Sequence, residues 1–230
     1  MPGLANHLRR VTAPSTVVAL SRLQWPRRLR SALRHTLGRR VRIELFFAFD
    51  DPYSAIALPG LIKLARAHDA DLAIYPLLER GIAGDPAAEQ RRRHAVHDSR
   101  RLARRDGQDF SRSEPLSATD CAFLAAWTEA TRGSDGMIAF AAAALEQLWL
   151  HSSGPLLQTD FHKLHQQYLG KPAPAQTPAN EKALAANTAR LHRLGHWESP
   201  AARIDRQWFF AHERLPQMDD LLRALGAKTA

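Results

Sequence analysis

VRIELFFAFDDPYS, residues Val41–Ser54, decides the fold of this 230-residue chain. Val41, Ile43, Leu45, Phe46 and Phe47 make an apolar run of strand-forming residues, which reads as a buried strand. The run stops at Asp50-Asp51-Pro52, and Ile56, Leu58, Leu61, Ile62, Leu64 and Ala65 then recur at helical spacing. Strand, acidic elbow and helix follow one another without a spacer. A residue at such an elbow sits at a helix N-terminus, where free N–H groups and the helix dipole stabilise a thiolate, an alkoxide or a bound anion.

Working outward, a polar break at His68–Asp71 leads to Leu72–Leu78, which reads as a second strand. Strand, helix and strand with an apolar middle imply a parallel βαβ unit with a right-handed crossover. The Gly/Pro/Asp loop Arg80–Pro86 follows, and then helical patterns over 87–106, 117–132, 137–151, 158–168 and 180–194. Met137–Leu150 is apolar nearly all round, which marks a helix buried between others, with Phe140 and Trp149 as core. Gly170–Asn180, with three prolines, reads as an extended connection. Beyond it come a strand at Pro200–Asp205, a turn at Arg206-Gln207, a strand at Trp208–Phe210 and a helix over 214–225 carrying Leu215, Met218, Leu221, Leu222 and Leu225 on one face. This order is an α/β thioredoxin-like fold (βαβ…ββα) with an all-helical insertion before the C-terminal β-hairpin. The domain runs over 41–225, with 87–194 as the insertion, 1–40 as a basic extension and 226–230 as a tail.

A dithiol enzyme of this fold carries Cys-Pro-x-Cys at the elbow. Here the residues are Asp51-Pro52-Tyr53-Ser54, and the single cysteine, Cys121, lies in a helical pattern that reads as core. Dithiol redox chemistry is excluded on that ground. The net charge of +9 resembles a nucleic-acid signal until it is located: residues 1–40 hold nine arginines and no acid, leaving 23 basic and 23 acidic residues in the rest. No specific nucleic-acid contact is therefore expected. The extension reads either as an amphipathic segment drawn to an anionic surface, with Leu29, Leu33 and Leu37 one turn apart, or as a leader packed loosely on the domain. Its apolar stretch is short and broken by Arg22, which disfavours a secretory signal, and no run reaches membrane-spanning length. The expected location is cytoplasmic, or membrane-peripheral through the extension. His94/His97 and His162/His165 stand three residues apart on helices, but no third ligand follows at metal spacing; they read as surface histidines, and no metal is expected.

Four stretches carry a resemblance to a known group: FFAFDDPYSAIALP, RRRHAVHDSRRLARRDGQDF, ANTARLHRLGHWESPAARIDRQWFF and AHERLPQMDDLLRAL. In order, and spanning roughly 41–225, they resemble the DsbA-like superfamily, and more closely its glutathione-using branch, 2-hydroxychromene-2-carboxylate isomerase and kappa-class glutathione transferase. The resemblance implies glutathione as cofactor and a small electrophile or aromatic acid as substrate, in a protein that is compatible with a homodimer.

It also implies roles. Asp51 takes the place of the family's catalytic serine, where a hydroxyl would donate to the glutathione sulfur. An ionised Asp51 cannot donate and would repel a thiolate, yet it can serve as a general base if burial or Asp50 raises its pKa. Asp before Pro is equally a favoured helix start, so Asp51 is either a cap or a catalytic group. Ser54 is a hydroxyl donor toward a ligand or an ordinary first-turn residue, and Tyr53 lines the same mouth. Ser199-Pro200 matches the cis-proline loop that faces the elbow and holds an extended peptide by its backbone. His212-Glu213 matches the γ-glutamyl site at the start of the last helix, and Arg91 falls near the family's lysine for the glycyl carboxylate. The competing reading is a non-catalytic thioredoxin-like module that binds a partner through the cis-proline groove or the basic extension.

Overall fold

A computed structural model describes residues 39–81, 84–175 and 177–227. The readings placed on the basic extension up to residue 38 lie outside these residues. The first strand β1 (Arg42–Ala48) leads through the elbow into α1 (Pro52–Ala67), and the chain returns in β2 (Asp71–Leu77). Five helices then precede the hairpin: α2 (Ala88–Arg105), α3 (Ala118–Ala130), α4 (Met137–Glu146), α5 (Gln158–Leu169) and α6 (Pro178–Arg193). Strands β3 (Ala201–Ile204) and β4 (Gln207–Phe210) and the final helix α7 (Leu215–Ala224) close the fold.

The sheet order is β2-β1-β3-β4. β1 runs parallel to β2 from Arg42↔Asp71 to Ala48↔Leu77 and antiparallel to β3 from Ile43↔Ile204 to Phe46↔Ala201. The hairpin turns at Asp205-Arg206, one residue earlier than the sequence suggested, with both residues at positive φ (44° and 70°), the backbone twist that two-residue hairpins require.

β1 is central and covered on both faces, which is why it reads as an unbroken apolar run. Ile43, Leu45 and Phe47 enter the main core with α1, α4 and α7, while Phe46 and Ala48 pack with Tyr75, Leu77 and Leu191 on the opposite face. The one acid of the strand, Glu44, is buried on that second face. Burial alone would raise its pKa, but hydrogen bonds from Arg190 and Arg203 outweigh burial and hold it below the usual range.

A buried tryptophan ties the helical block to the elbow. α4 runs on into a π-helical turn, Gln147–His151, and the fully buried Trp149 on that turn donates Nε1–H to the carbonyl of Phe49 at 3.1 Å. Arg112 holds the turn, donating to the carbonyls of Leu148 (3.0 Å) and Gly154 (2.9 Å). α4 and α5 meet at Gly136, where a Cβ would lie 2.0 Å from the carbonyl oxygen of Tyr168.

Two expectations are corrected. α6 begins at Pro178, because Thr177 and Asn180 form a reciprocal capping box and proline fits the first helical position, so the extended connection ends at Thr177. His165 is buried rather than at the surface: its ring packs edge-on to Trp127 and Phe140, and Nδ1–H donates to the carbonyl of Lys171 at 2.9 Å. Among the described residues, no helix is long and apolar enough to cross a membrane.

Candidate functional site

The elbow places Asp51 as the N-cap of α1, with extended backbone (φ −103°, ψ 109°) and its Oδ1 accepting the N–H of Tyr53 at 3.2 Å. The cap reading is therefore realised. The other oxygen, Oδ2, lies 3.4 Å from the hydroxyls of both Ser54 and Ser199, so the loop before β3 closes on the elbow. The Ser199–Pro200 bond is cis. Asp51 and Ser54 are 0% exposed.

Arg80, just past the end of β2, completes the enclosure. Its Nη1 lies 3.6 Å from Asp51 Oδ1 and its Nη2 3.6 Å from Glu198 Oε1, while the guanidinium sits 5.5 Å from the centre of the Tyr53 ring. The backbone N–H of Arg80 donates to both carboxylate oxygens of Asp50, at 3.1 and 3.4 Å. Tyr53 in turn donates its hydroxyl to Asp98 at 2.9 Å and stacks on His212 with centroids 4.1 Å apart.

Burial dominates the electrostatics of the elbow. It pushes Asp51 up to about 6, against the pull of Arg80 and the Tyr53 N–H. It pushes Asp50 up to about 7, helped by the adjacent Asp51 charge and opposed by Arg80. His212 is held below its ordinary value by burial in spite of Glu213, and the Tyr53 hydroxyl is pushed well above its own by burial and by Asp98. Two carboxyls that change protonation near neutrality, one of them flanked by hydroxyls, suit proton transfer.

Two recesses flank the elbow and share Glu79 and Gly81 in their walls. One is an apolar cleft of about 1100 Å³ between α3 and α6, which runs past Ala122, Ala126, Leu184 and Ala189 to Ser199, with Trp197 half exposed at its rim. The other is a polar notch of about 170 Å³ at the start of α2, lined by Arg80, Arg91, Arg92, Asp85 and Glu198.

The sequence-derived residues fall into two groups. Asp51, Ser54, Ser199 and Pro200 converge, and Tyr53 and His212 adjoin them as a stacked pair. Ser54, read as either a donor toward a ligand or a first-turn residue, turns its hydroxyl proton to Asp51 while its oxygen accepts the Ala48 N–H at 3.4 Å. Tyr53 is buried and lines neither recess. Glu213 is not in the first turn of the last helix, because α7 starts at Leu215; it lies half exposed on the preceding turn, 3.6 Å from His212 and 3.9 Å from Arg214. Arg91 stands at the mouth of the notch, paired with Asp85 at 2.7 Å. Arg80, Asp98 and Glu198 were missed. The one signal for Arg80 was its place after β2, since the C-terminal ends of parallel strands share one edge with the elbow.

No protein-family model and no curated protein sequence matches the chain. Solved structures do. A 2-hydroxychromene-2-carboxylate isomerase superposes with a TM-score of 0.62 at 15% identity, over 80% of this chain and 96% of that one. A probable DsbA oxidoreductase from Streptomyces coelicolor gives 0.60 at 14% identity, over 83% and 92%. The cytosolic disulfide reductase DsbM from Pseudomonas aeruginosa, solved with GSH, gives 0.57 at 16% identity, over 80% and 97%. With the strand order, the helical block between β2 and β3 and the elbow geometry above, these superpositions identify a DsbA-like thioredoxin fold.

Proposed function

We infer that the protein is a glutathione-linked isomerase or transferase in which Asp51 moves the proton. The observation that carries this reading is a buried carboxyl, titrating near neutrality, one hydroxyl away from a large apolar cleft. The residues present fit a small peptide with charged ends. Arg91 and Arg80 offer cations at the notch, Glu213 offers a carboxylate for an amino group, and the Ser199–Pro200 loop lies between them in sequence and faces the elbow. Bound there, glutathione supplies a thiol nucleophile. Asp51 in its ionised form accepts the thiol proton at Oδ2, the oxygen nearest Ser199, and returns it to the acceptor as the new bond forms. The Ser54 and Ser199 hydroxyls orient that oxygen, and the leucine and alanine walls of the cleft exclude water from an apolar electrophile or aromatic acid. Likeness to an isomerase and to a reductase solved with GSH supports the choice of reaction class.

Calorimetric titration of glutathione into the wild-type chain and into Glu213→Ala tests the reading. Binding between roughly 10 μM and 1 mM, some 4 to 7 kcal/mol, that weakens at least tenfold in the variant is expected. A folded wild-type chain that takes up no glutathione sinks it.

A further inference from the structure

The apolar cleft between α3 and α6 is long as well as large. Its lining runs along α6 from the N-cap Thr177 to His192, roughly 22 Å of helix, and it encloses about 1100 Å³. A single aromatic ring fills a fraction of that length, whereas an extended chain or a row of fused rings fills it. Ala122 and Ala126 of α3 and Ala185 and Ala189 of α6, each pair one turn apart, keep the walls smooth above the buried Leu77 and Leu184. Trp197, half exposed at the rim, is held by stacking on His196 with centroids 5.2 Å apart and offers a flat apolar surface.

The charges of the cleft are one-sided. Among the described residues that line it there is no lysine or arginine; Arg80, Arg91 and Arg92 line the notch instead. Two carboxylates do line it, Glu79 beside the elbow and the exposed Glu181 on the first turn of α6. Its one basic side chain, His192, lies about three turns along α6 from Glu181. The first turns of α3 and α6 also border it, but their positive ends are answered by the chain itself. Ser117 and Thr177 cap them by accepting the Asp120 and Asn180 N–H groups, and Asp120 and Glu181 add a carboxylate to each first turn. An acid taken into this cleft would shed its water and meet no guanidinium or ammonium, and at the inner end it would face ionised Asp51 and Glu198 as well. A cation at Glu181 keeps part of its water, gains a carboxylate and leaves its apolar body to the walls.

We propose that the cleft binds an elongated apolar amine, protonated or quaternary, with its body along the alanine walls and its charge at Glu181, and that it rejects acids of the same shape. The end remote from the charge then lies at Ser199, whose hydroxyl is 3.4 Å from Asp51 Oδ2. The proposal rests on the glutathione reading for the reaction at that end, and it narrows the acceptors there from electrophile or acid to an apolar electrophile with a cationic tail. Its test needs binding alone.

Decylamine, decanol and decanoate, alike in body and different in charge, are titrated calorimetrically into the full chain at neutral pH. Decylamine is expected to bind about tenfold tighter than decanoate, with decanol between them. Glu181→Gln should cut that ratio about threefold and Glu181→Lys should invert it. Ala189→Trp, which fills the cleft from an exposed position of α6, should weaken all three about fivefold. Decanoate that binds as tightly as decylamine, a ratio unchanged in Glu181→Gln, binding indifferent to Ala189→Trp, or no binding by any of the three overturns the proposal. A glutathione titration of the same protein separates the two ideas. Amine binding in a chain that takes up no glutathione keeps the cleft and removes the reaction, while glutathione uptake beside a cleft that prefers decanoate does the reverse.

Discussion

Asp50→Asn should make the protein more stable above neutrality while leaving it nearly unchanged in acid. Asp50 is buried, its carboxyl is pushed from an ordinary value near 3.8 up to about 7, and its structural task is to accept the Arg80 N–H. Asparagine keeps the shape and an acceptor oxygen and removes only the ionisation. A carboxyl whose folded pKa lies above its unfolded value binds protons more tightly when folded. Its stabilisation is therefore full below the unfolded value and is lost as pH rises through the folded one. Between about pH 5 and pH 9 the shift is worth roughly 3 kcal/mol, lost by the wild type and kept by the variant. For a chain of this size that corresponds to a difference in Tm of roughly 6 to 12 °C opening across the range. Histidines such as His165 and His196, held below their ordinary values by burial, add their own slope at the acid end, but it is common to both proteins and cancels in the difference. Thermal unfolding followed by circular dichroism across this pH range measures that difference. Parallel profiles would refute the reasoning, because they would mean that the elbow admits enough water to ionise Asp50 at no penalty.

Trp149→Phe removes the donor to the Phe49 carbonyl and thins the buried contact between the helical block and the elbow, so urea denaturation should show a loss of about 2 to 4 kcal/mol, against about 0.5 or less for the half-exposed Trp197→Phe. Gly136→Ala brings a methyl onto the Tyr168 carbonyl and should destabilise by about 3 kcal/mol, read in the same way; Gly154→Ala, with open space around it, serves as the neutral control.

Legibility followed the range of the interactions. The β1–α1–β2 unit was readable because its cause is local: a run of Val, Ile, Leu and Phe broken by Asp-Asp-Pro leaves no other arrangement, and burial of both strand faces is written as loss of alternation. The start of α6 was misplaced because three prolines look like a linker, whereas Thr177, Pro178 and Asn180 together are a helix start. Half of the site was visible for the same reason as the strand. Asp51, Ser54 and Ser199 occupy positions set by the elbow and the loop before β3. Asp98 and Glu198 were invisible and Arg80 was marked only by its place after β2, because each meets the elbow across dozens of residues and leaves no periodic trace. His165 shows the limit from the other side: its partners, Trp127, Phe140 and the Lys171 carbonyl, come from separate segments, so three-residue spacing from His162 said nothing about burial.

The fold supplies position 51 with influences of opposite sign, and the residue there decides what they accomplish. The helix N-terminus and the Tyr53 N–H favour a negative charge, as they would for a thiolate. Complete burial disfavours it, and so do Asp50 and Glu198. A cysteine would feel the same opposing pulls, and to close an internal disulfide it would need a second thiol one turn on, where this chain has Ser54. A carboxyl settles the balance differently: starting near 3.8, it is lifted by burial to about 6 and stopped there by Arg80. An acid at that value holds its proton in a minority of molecules at neutral pH and gains or loses it for a small change in surroundings. The departure from Cys-Pro-x-Cys thus leaves a carboxyl in place of a thiol to answer these influences, and Arg80 limits how far burial lifts it.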